Sequence, residues 1–379
     1  MFTLIRGARV YAPADLGRQD ILLCNDKIIR IAPEISFSDP DLTVLDAAGL
    51  TAVPGFLDQH VHVTGGGGEQ SFRSRIREIS LPDIISSGVT TVVGLLGTDG
   101  ITRSVENLVA KTKALNEEGV TAFCLTGSYA IPSVTLTGSV EKDIAFVQEI
   151  IGCKVAITDH RSSAPTRDEL LRLACQIRVA ALLSGKPGVL CMHTGTGRTA
   201  LSDIIYLVEH SDIPIKHFRP THVGHLLPDA IRFANLGGYI DFTAGKNASK
   251  TAQDILHARE EAPFDRMTLS SDSNGSSPKW NEKRELIGMG VGKMDTLWAT
   301  VRYLITEDLL PVEEALSLIT THVAQALELS PRKGTLTAGA DGDIVLLDRE
   351  WNIDSVFARG VLMMKEKHLL QHGYYRYEN

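Results

Sequence analysis

The chain has 379 residues, of which 43% are hydrophobic and 22% charged, so it is long enough to bury a large core. Its formal net charge is −8 and no segment concentrates Lys and Arg, which argues against nucleic acid and anionic membranes as partners. The first residues, MFTLIRGARV, lack the apolar core of a signal peptide, and no run reaches the roughly 18 apolar residues of a membrane span. We therefore expect a globular, cytoplasmic protein.

The two ends of the chain have sequence patterns typical of short β-strands. Residues 1–52 contain the alternating runs TLIRGARVYA and DILLCNDKIIRIA. In residues 331–379, the segments GTLTAGADGDIVLLD and DSVFARGVLMMKEKHLL both resemble hairpins. Because chain ends commonly meet in compact proteins, we expect residues 1–52 and 331–379 to form one small β-sandwich domain beside residues 53–330.

Eight runs rich in β-branched residues recur through residues 53–330, each ending at turn-forming residues. They are VPGFLDQHV at 53, TTVVGLLGT at 90, TAFCLTGS at 121, CKVAIT at 153, GVLCMHTG at 188, IKHFRPTHV at 215, GGYIDFTAG at 237 and MTLSSDSNG at 267. A spacing of about 20 to 35 residues is typical of a TIM-type (β/α)8 barrel. The alternative, a doubly wound sheet, is usually marked by GxGxxG or a P-loop lysine, and GGGGE at residues 65–69 has neither.

Amphipathic segments between these runs indicate the return helices. In SVEKDIAFVQEIIG, Ser139 can cap the first turn, and Ile144, Val147 and Ile151 would line one face of a helix.

Polar residues that can bind metals fall at the ends of several predicted strands. His60 and His62 stand two apart and so face the same side of a strand, although such a pair alone is often two ordinary polar residues. His193, His222 and Asp272 end three further strands. In a barrel the carboxyl ends of all strands share the rim where active sites are built, so the pattern predicts a metal site there.

Lys154 is unusual because GCKVAIT places an amine in an otherwise apolar strand, where a buried ammonium is costly. Its amine either reaches solvent at the strand end or has taken up CO2, forming a carbamate that bridges two metal ions. The more buried metal would then be bound by His60, His62 and Asp272, and the more exposed one by His193 and His222. Zn(II) suits these ligands best, and Co(II), Mn(II) or Ni(II) would also fit.

These features identify the chain as similar to the amidohydrolase superfamily and, more narrowly, to its isoaspartyl (β-aspartyl) dipeptidases. The superfamily resemblance lies in PGFLDQHVH, Lys154, His193, His222, Asp272 and the divided β-domain. The narrower resemblance lies in HVHVTGGGGE, VVGLLGTDGITR, LNEEG, LTGSY, TGSVEKD, AITDHRSSAP, SGKPGVL, PTHV and LSSDSNGS. It implies a homo-oligomeric zinc metallopeptidase that hydrolyses the isopeptide bond of β-L-aspartyl dipeptides, with two Zn(2+) ions bridged by N6-carboxylated Lys154.

The resemblance also implies catalytic roles. A hydroxide bridging the two metals attacks the scissile carbonyl, while Asp272 takes the proton and passes it to the departing amine. Tyr129 donates its phenol to the carbonyl oxygen as charge develops. Taken without the resemblance, Tyr129 would be an aromatic residue of the barrel rim.

Substrate-binding roles follow from the same resemblance. Glu69 would bind the substrate ammonium, and Gly67 would let the backbone approach the ligand without a Cβ. Thr98, Arg161 and Ser276 would hold the other polar ends of the substrate, with the planar fork of Arg161 suited to a carboxylate.

One position departs from the family pattern, which has an arginine three residues after the histidine of strand six. Here that position is His225, in THVGHLL. An imidazole gives a weaker, pH-dependent grip, so we hypothesise that protonated His225, or Lys246 in TAGKNASK, supplies the missing positive charge.

Two other functions remain open. The chain could be an amidohydrolase for a different amide, either an N-acyl amino acid or a cyclic amide such as dihydroorotate or a hydantoin. It could also be a barrel that has lost catalysis and serves as a scaffold. Loss of catalysis usually removes metal ligands, whereas all six candidates are present here.

Overall fold

A nearly closed barrel of eight parallel strands forms the centre of the protein, in a computed structural model that describes residues 1–281 and 286–374. The barrel strands β6 to β13 are Phe56–Val61, Val89–Gly94, Thr121–Gly127, Ile150–Ile157, Val189–Thr194, Phe218–Thr221, Ile240–Thr243 and Met267–Ser270. The eight predicted barrel strands are confirmed. Between β6 and β13 the barrel closes where the His62 amide donates to the Ser273 carbonyl, at 2.9 Å.

Strands β1 to β5 precede the barrel and are Phe2–Tyr11, Asp15–Cys24, Lys27–Ala32, Leu42–Asp46 and Thr51–Pro54. After it come β14 and β15, Ser276–Trp280 and Leu286–Val291, and then β16 to β19, Ile344–Leu347, Ile353–Ala358, Val361–Lys365 and His368–Leu369. Helices α1 to α10 are Leu81–Ser86, Val105–Glu117, Val140–Phe146, Arg167–Ser184, Ser202–His210, Leu227–Asn235, Ala248–Glu261, Asp295–Thr306, Val312–Ser317 and Thr321–Ala326. Among the residues that the structure describes, no helix is both long and apolar enough to cross a membrane.

The two chain ends form one nine-stranded sheet, as the sequence predicts. Its order is β19-β18-β17-β16-β5-β1-β2-β3, and β4 pairs with β1. Strand β5 joins the two ends because it pairs in parallel with β1 and antiparallel with β16. The expected boundary between residues 52 and 53 lies inside β5, and the barrel begins only at Phe56. A Cβ on the intervening Gly55 would lie 2.3 Å from the Thr90 hydroxyl, so the two sheets meet closely at this glycine.

One predicted hairpin is confirmed and the other is wrong. DSVFARGVLMMKEKHLL contains the antiparallel pair β17 and β18. GTLTAGADGDIVLLD contributes only one strand, β16, because the preceding turn bonds to a different part of the sheet. In that turn Ala340 accepts from the Ile28 amide at 3.0 Å, and Gly342 donates to the Asp26 carbonyl at 2.7 Å.

The helix predicted in SVEKDIAFVQEIIG is correct only in its first half. The Ser139 hydroxyl accepts from the Lys142 amide, which begins α3 as expected. The helix ends at Phe146, and Ile151 lies in β9, whose backbone pairs with both neighbouring strands. The Lys186 amine donates to the carbonyls of Ile144, Val147 and Ile150 at 2.5, 2.6 and 3.0 Å and so satisfies the turn that replaces the second half of the helix.

Candidate active site

All six predicted metal ligands lie on barrel strands or within two residues of their carboxyl ends. His60, Lys154 and His193 belong to β6, β9 and β10, whereas His62, His222 and Asp272 follow β6, β11 and β13. The carboxyl ends of these strands bring their side chains to one rim, as expected for this architecture.

The Asp272 carboxylate lies at the centre of this group. Its Oδ1 is 3.1 Å from Nε2 of His62 and 3.5 Å from Nε2 of His60. His60, His222 and Asp272 each offer one atom that can bind a metal, and these three atoms lie within 4.8 Å of one another. The rings of His193 and His222 meet edge to face, with centroids 4.7 Å apart, which joins the fourth histidine to the group.

Two of these residues have unusual backbones. His222 has φ 64° and Asp272 has φ 52°, both in the left-handed region that favours glycine. Such conformations cost roughly 1 to 3 kcal/mol each and concentrate at functional sites, where the surrounding structure holds them. Each residue lies within two positions of the end of a barrel strand, so the turn aims its side chain into the rim.

Lys154 is fully buried, with 0% of its surface exposed, which rules out the interpretation that its amine reaches solvent. Its Nζ lies 3.2 Å from Nε2 of His60 and donates to Sγ of Cys191 at 3.5 Å. Within the described part of the chain, no carboxylate oxygen lies within 4.0 Å of this amine. Burying an ammonium without an anionic partner is costly, so Lys154 stands out among the polar residues inside the barrel.

Four of the other candidate ligands have a shifted pKa. Burial lowers the pKa of His60 and His222 well below the usual value, and that of His193 to about 4. Burial alone would raise the pKa of Asp272, but the hydrogen bond from His62 and the nearby basic side chains lower it to about 2. At neutral pH, His60, His193 and His222 are therefore neutral imidazoles, and the Asp272 carboxylate beside them is ionised.

His193 has a protein partner at each ring nitrogen. Nε2 lies 2.9 Å from Oδ2 of Asp159, and Nδ1 lies 2.8 Å from the Tyr129 hydroxyl. Because an ionised carboxylate can only accept, Nε2 carries the hydrogen and Nδ1 accepts from Tyr129. Nη2 of Arg161 also lies 3.2 Å from Nε2, but it donates to Oδ2 of Asp159 at 2.9 Å. Nδ1 is therefore the nitrogen of His193 that would be available to a metal ion.

Asp159 is a functional candidate that the sequence analysis missed. Its two oxygens accept from Nε and Nη2 of Arg161 at 3.0 and 2.9 Å, so the guanidinium fork expected to bind substrate faces this carboxylate. Burial alone would raise the pKa of Asp159, but hydrogen bonds from His193 and Arg161 hold it well below its usual range. The only signal in the sequence was an acidic residue two positions before Arg161.

Glu69 is surrounded by the residues expected to bind the substrate. Its Oε1 accepts from Ser276 at 2.6 Å, from Thr98 at 3.3 Å and from Nη1 of Arg161 at 3.4 Å. Its Oε2 is buried and has no hydrogen-bond partner among the described residues. Thr98 and Ser276 thus support Glu69, and one carboxylate oxygen lacks a donor.

Gly67 owes its identity to the packing of its loop. It has φ +77°, and an added Cβ would lie 2.4 Å from the Ser74 carbonyl oxygen. An open groove of about 1040 Å³ adjoins the rim at Gly67 and Ser276.

His225 and Lys246 are both exposed. His225 hydrogen-bonds through Nε2 to the Gly195 carbonyl, at 3.0 Å, in the loop that follows His193. Lys246 lies in the loop after β12.

Comparison with known proteins identifies the family of this chain. A sequence profile described as the amidohydrolase family matches residues 51–363. The chain belongs to the amidohydrolase family. The crystal structure of β-aspartyl dipeptidase from Fervidobacterium islandicum AW-1, in complex with β-Asp-Leu, is 40% identical, with both chains fully covered and a TM-score of 0.93.

More distant amidohydrolase relatives have other activities. Imidazolonepropionase of Colwellia psychrerythraea is 25% identical over 363 residues, which cover 84% of this chain and 80% of that protein. Dihydroorotase of Staphylococcus aureus is 33% identical over 114 residues, or 30% of this chain and 26% of that enzyme. A D-hydantoinase structure, 15% identical with a TM-score of 0.68 over 98% and 97% of the two chains, shares the fold. The chain is therefore a hydrolase of this superfamily that is similar to β-aspartyl dipeptidases.

The rim of this amidohydrolase fits a divalent metal. Neutral imidazole nitrogens and ionised carboxylate oxygens are ligands that Zn(II) and related ions prefer. The buried amine of Lys154, the sixth candidate ligand, lies next to His60.

Proposed function

We propose that the protein is a metal-dependent dipeptidase that hydrolyses the isopeptide bond of β-L-aspartyl dipeptides. The observation that carries this proposal is Oε2 of Glu69, for which the described residues supply no hydrogen-bond partner, in a chain 40% identical over its full length to a β-aspartyl dipeptidase. A β-aspartyl dipeptide has a free α-ammonium that can donate to this oxygen. A cyclic amide such as dihydroorotate has no such group.

Two metal ions, with zinc the best match, would be held at the rim and bridged by carboxylated Lys154. The ligands would be His60, His62 and Asp272 for one ion and His193 and His222 for the other. When bound, the metals would lower the pKa of a water molecule toward neutrality and polarise the scissile carbonyl.

Asp272 would act as the proton shuttle. Its pKa of about 2 leaves it ionised at neutral pH, so it can accept the proton of the attacking water and deliver it to the departing amine. The His62 contact at 3.1 Å orients the carboxylate toward the centre of the rim.

Tyr129 would stabilise the negative charge on the carbonyl oxygen. Burial raises the pKa of its phenol well above the usual value, so the group stays protonated and can donate. The guanidinium of Arg161 lies 5.4 Å from the ring centroid and supports its position. In this role the hydroxyl would donate to the substrate oxygen in place of Nδ1 of His193.

The substrate's charged ends would meet Glu69 and Arg161. Glu69 binds the ammonium, with Gly67, Thr98 and Ser276 shaping the same side of the pocket. Arg161 binds a substrate carboxylate by exchanging part of its contact with Asp159, and His225 or Lys246 adds positive charge nearby. We further propose a cytoplasmic homo-oligomer.

The test is steady-state hydrolysis of β-Asp-Leu beside α-Asp-Leu, using zinc-loaded protein prepared with bicarbonate. We expect fast cleavage of the β isomer alone. If neither isomer is cleaved while two metals per chain stay bound, the β-aspartyl assignment is wrong and the chemistry serves another amide. A metal content near zero without hydrolysis would instead support a non-catalytic scaffold.

A different amide is the second candidate, and His225 is the observation that favours it. A pocket that lacks the expected arginine binds a substrate carboxylate less strongly. Rates with dihydroorotate, a hydantoin and N-acetyl-amino acids, measured beside β-Asp-Leu, separate the two functions.

A further inference from the structure

A chain of buried polar side chains lies next to the candidate metal ligands inside the barrel. Arg219, which is 2% exposed, donates through Nη1 to Oε1 of Gln59 at 2.8 Å and through Nη2 to the Ala326 carbonyl at 3.0 Å. The Gln59 amide in turn donates to Oδ1 of Asp241 at 2.7 Å. Because a guanidinium only donates, the oxygen of Gln59 must face Arg219 and its NH2 group must face Asp241.

Asp241, which is 1% exposed, accepts four hydrogen bonds. At Oδ1 the donors are Gln59 and Thr268, at 2.7 and 2.8 Å, and at Oδ2 they are Ser270 and Thr221, at 2.6 and 3.0 Å. A buried carboxylate needs such donors to remain in the interior. The hydroxyl of Thr221 therefore uses its single hydrogen on Asp241.

The same hydroxyl oxygen lies 3.2 Å from Nδ1 of His60. With its hydrogen directed to Asp241, Thr221 can only accept here, so Nδ1 of His60 must carry a hydrogen. Nε2 then has the free lone pair, and it is Nε2 that faces Lys154 and Asp272 at 3.2 and 3.5 Å.

We infer that Asp241, acting through Thr221, holds His60 in the tautomer whose Nε2 can bind a metal ion. Asp241 is thus a positioning residue that touches neither substrate nor metal. Thr221 and Asp241 are paired residues on the adjacent parallel strands β11 and β12, so the distance between them is fixed by the barrel. The inference rests on the proposed metal-binding role of His60 and does not depend on which amide is the substrate.

The first test compares Thr221→Val, which removes the acceptor while keeping the shape, with Thr221→Ser, which keeps the hydroxyl. Nitrogen NMR of metal-free protein with labelled histidine reports the His60 tautomer, with His60→Asn used to assign the signal. We expect hydrogen on Nδ1 in the unmodified protein and in Thr221→Ser, and a mixture of tautomers in Thr221→Val.

Zinc affinity, measured by competition with a chelator, is the second readout. Loss of a residue that orients a ligand typically weakens metal binding about 10- to 100-fold, which we expect for Thr221→Val. Thr221→Ser should bind zinc as the unmodified protein does, within about threefold, a range typical of substitutions that keep a contact.

Asp241→Asn should reverse the tautomer of His60. Gln59 still presents NH2 to the Oδ1 position, so the new amide should keep its oxygen there and place its own NH2 where Oδ2 lies. Thr221 would then accept from this NH2 and donate to His60. We expect the hydrogen of His60 to move to Nε2 and zinc binding to weaken.

Thermal unfolding of each variant checks that the barrel is intact, and Asp241→Asn serves as the test if Thr221→Val does not fold. The inference is wrong if folded Thr221→Val and Asp241→Asn keep the hydrogen on Nδ1 and bind zinc normally. If the unmodified protein binds no zinc, the proposed metal-dependent function is wrong. The NMR comparison then still tests whether Thr221 and Asp241 fix the tautomer of His60.

Discussion

The side of the site with the candidate metal ligands is held by buried hydrogen bonds between strands, whereas the side with the candidate substrate-binding residues is held by partly exposed ion pairs of its loops. On the first side, Thr221 and Asp241 orient His60 from within the barrel. On the second, Arg161 contacts both Asp159 and Glu69 above the rim. Fixed strands keep one ligand geometry for any substrate, while loop pairs can exchange partners when substrate binds. Substitutions on the two sides should therefore affect different measured quantities.

Lys154→Ala should cause the largest change, because it removes the group proposed to bridge two metals. Since residues that merely orient ligands cost about 10- to 100-fold, we expect a loss of more than about 100-fold in both kcat/KM and zinc affinity. Metal content and activity should fall together, and both are measured on the same preparation.

Added short carboxylic acids should restore part of the activity of Lys154→Ala by occupying the place of the carbamate. Lys186→Ala is a matched control, because Lys186 is a part-buried lysine that bonds to backbone carbonyls away from the rim. Full activity in Lys154→Ala would exclude the bridging role.

Glu69→Gln should weaken substrate binding while leaving metal binding intact. A hydrogen bond to a charged group is worth about 1.5 to 3 kcal/mol, so kcat/KM for β-Asp-Leu should fall roughly 10- to 100-fold. Succinyl-leucine, which lacks the ammonium, should show no such difference between the two proteins. Glu78→Gln, at an exposed glutamate 3.8 Å from Lys111, should change neither substrate's rate. Equal losses for both substrates would mean that Glu69 supports the loops and does not bind ammonium.

Asp159→Asn tests the point where the two sides of the site meet, since Asp159 contacts both His193 and Arg161. Losing the charge should reduce kcat/KM about tenfold, equivalent to about 1.4 kcal/mol, with a smaller loss of zinc affinity. Asp99→Asn is the control, because Asp99 pairs with Arg75 in a nearby loop and touches no candidate ligand. An unchanged kcat/KM would show that Arg161 and His193 keep their positions without this carboxylate.

Residue positions that depend on strand periodicity could be predicted from the sequence, whereas positions that depend on contacts between distant residues could not. The eight barrel strands and the placement of the six candidate ligands followed from polar residues ending apolar runs. The pairing of Ser276 with Glu69 could not be predicted, because the two residues lie 207 positions apart and their loops have no periodicity. The errors in α3 and at residues 334–343 have a related cause. In the first case, the helix-like sequence pattern continues into strand β9. In the second, the turn bonds to β3 and does not form a hairpin with β16.

His225→Gln should have the smallest effect, because His225 is exposed and already donates to the Gly195 carbonyl, a bond that glutamine can keep. We expect KM for β-Asp-Leu to change by no more than about threefold, the usual range for surface substitutions. Lys246→Met is measured beside it, and an increase in KM in that variant alone would assign the charge of the absent arginine to Lys246. A rise of about tenfold in KM for His225→Gln, equivalent to about 1.4 kcal/mol, would instead mean that the imidazole of His225 contacts the substrate, and that this loop belongs with the fixed side of the site.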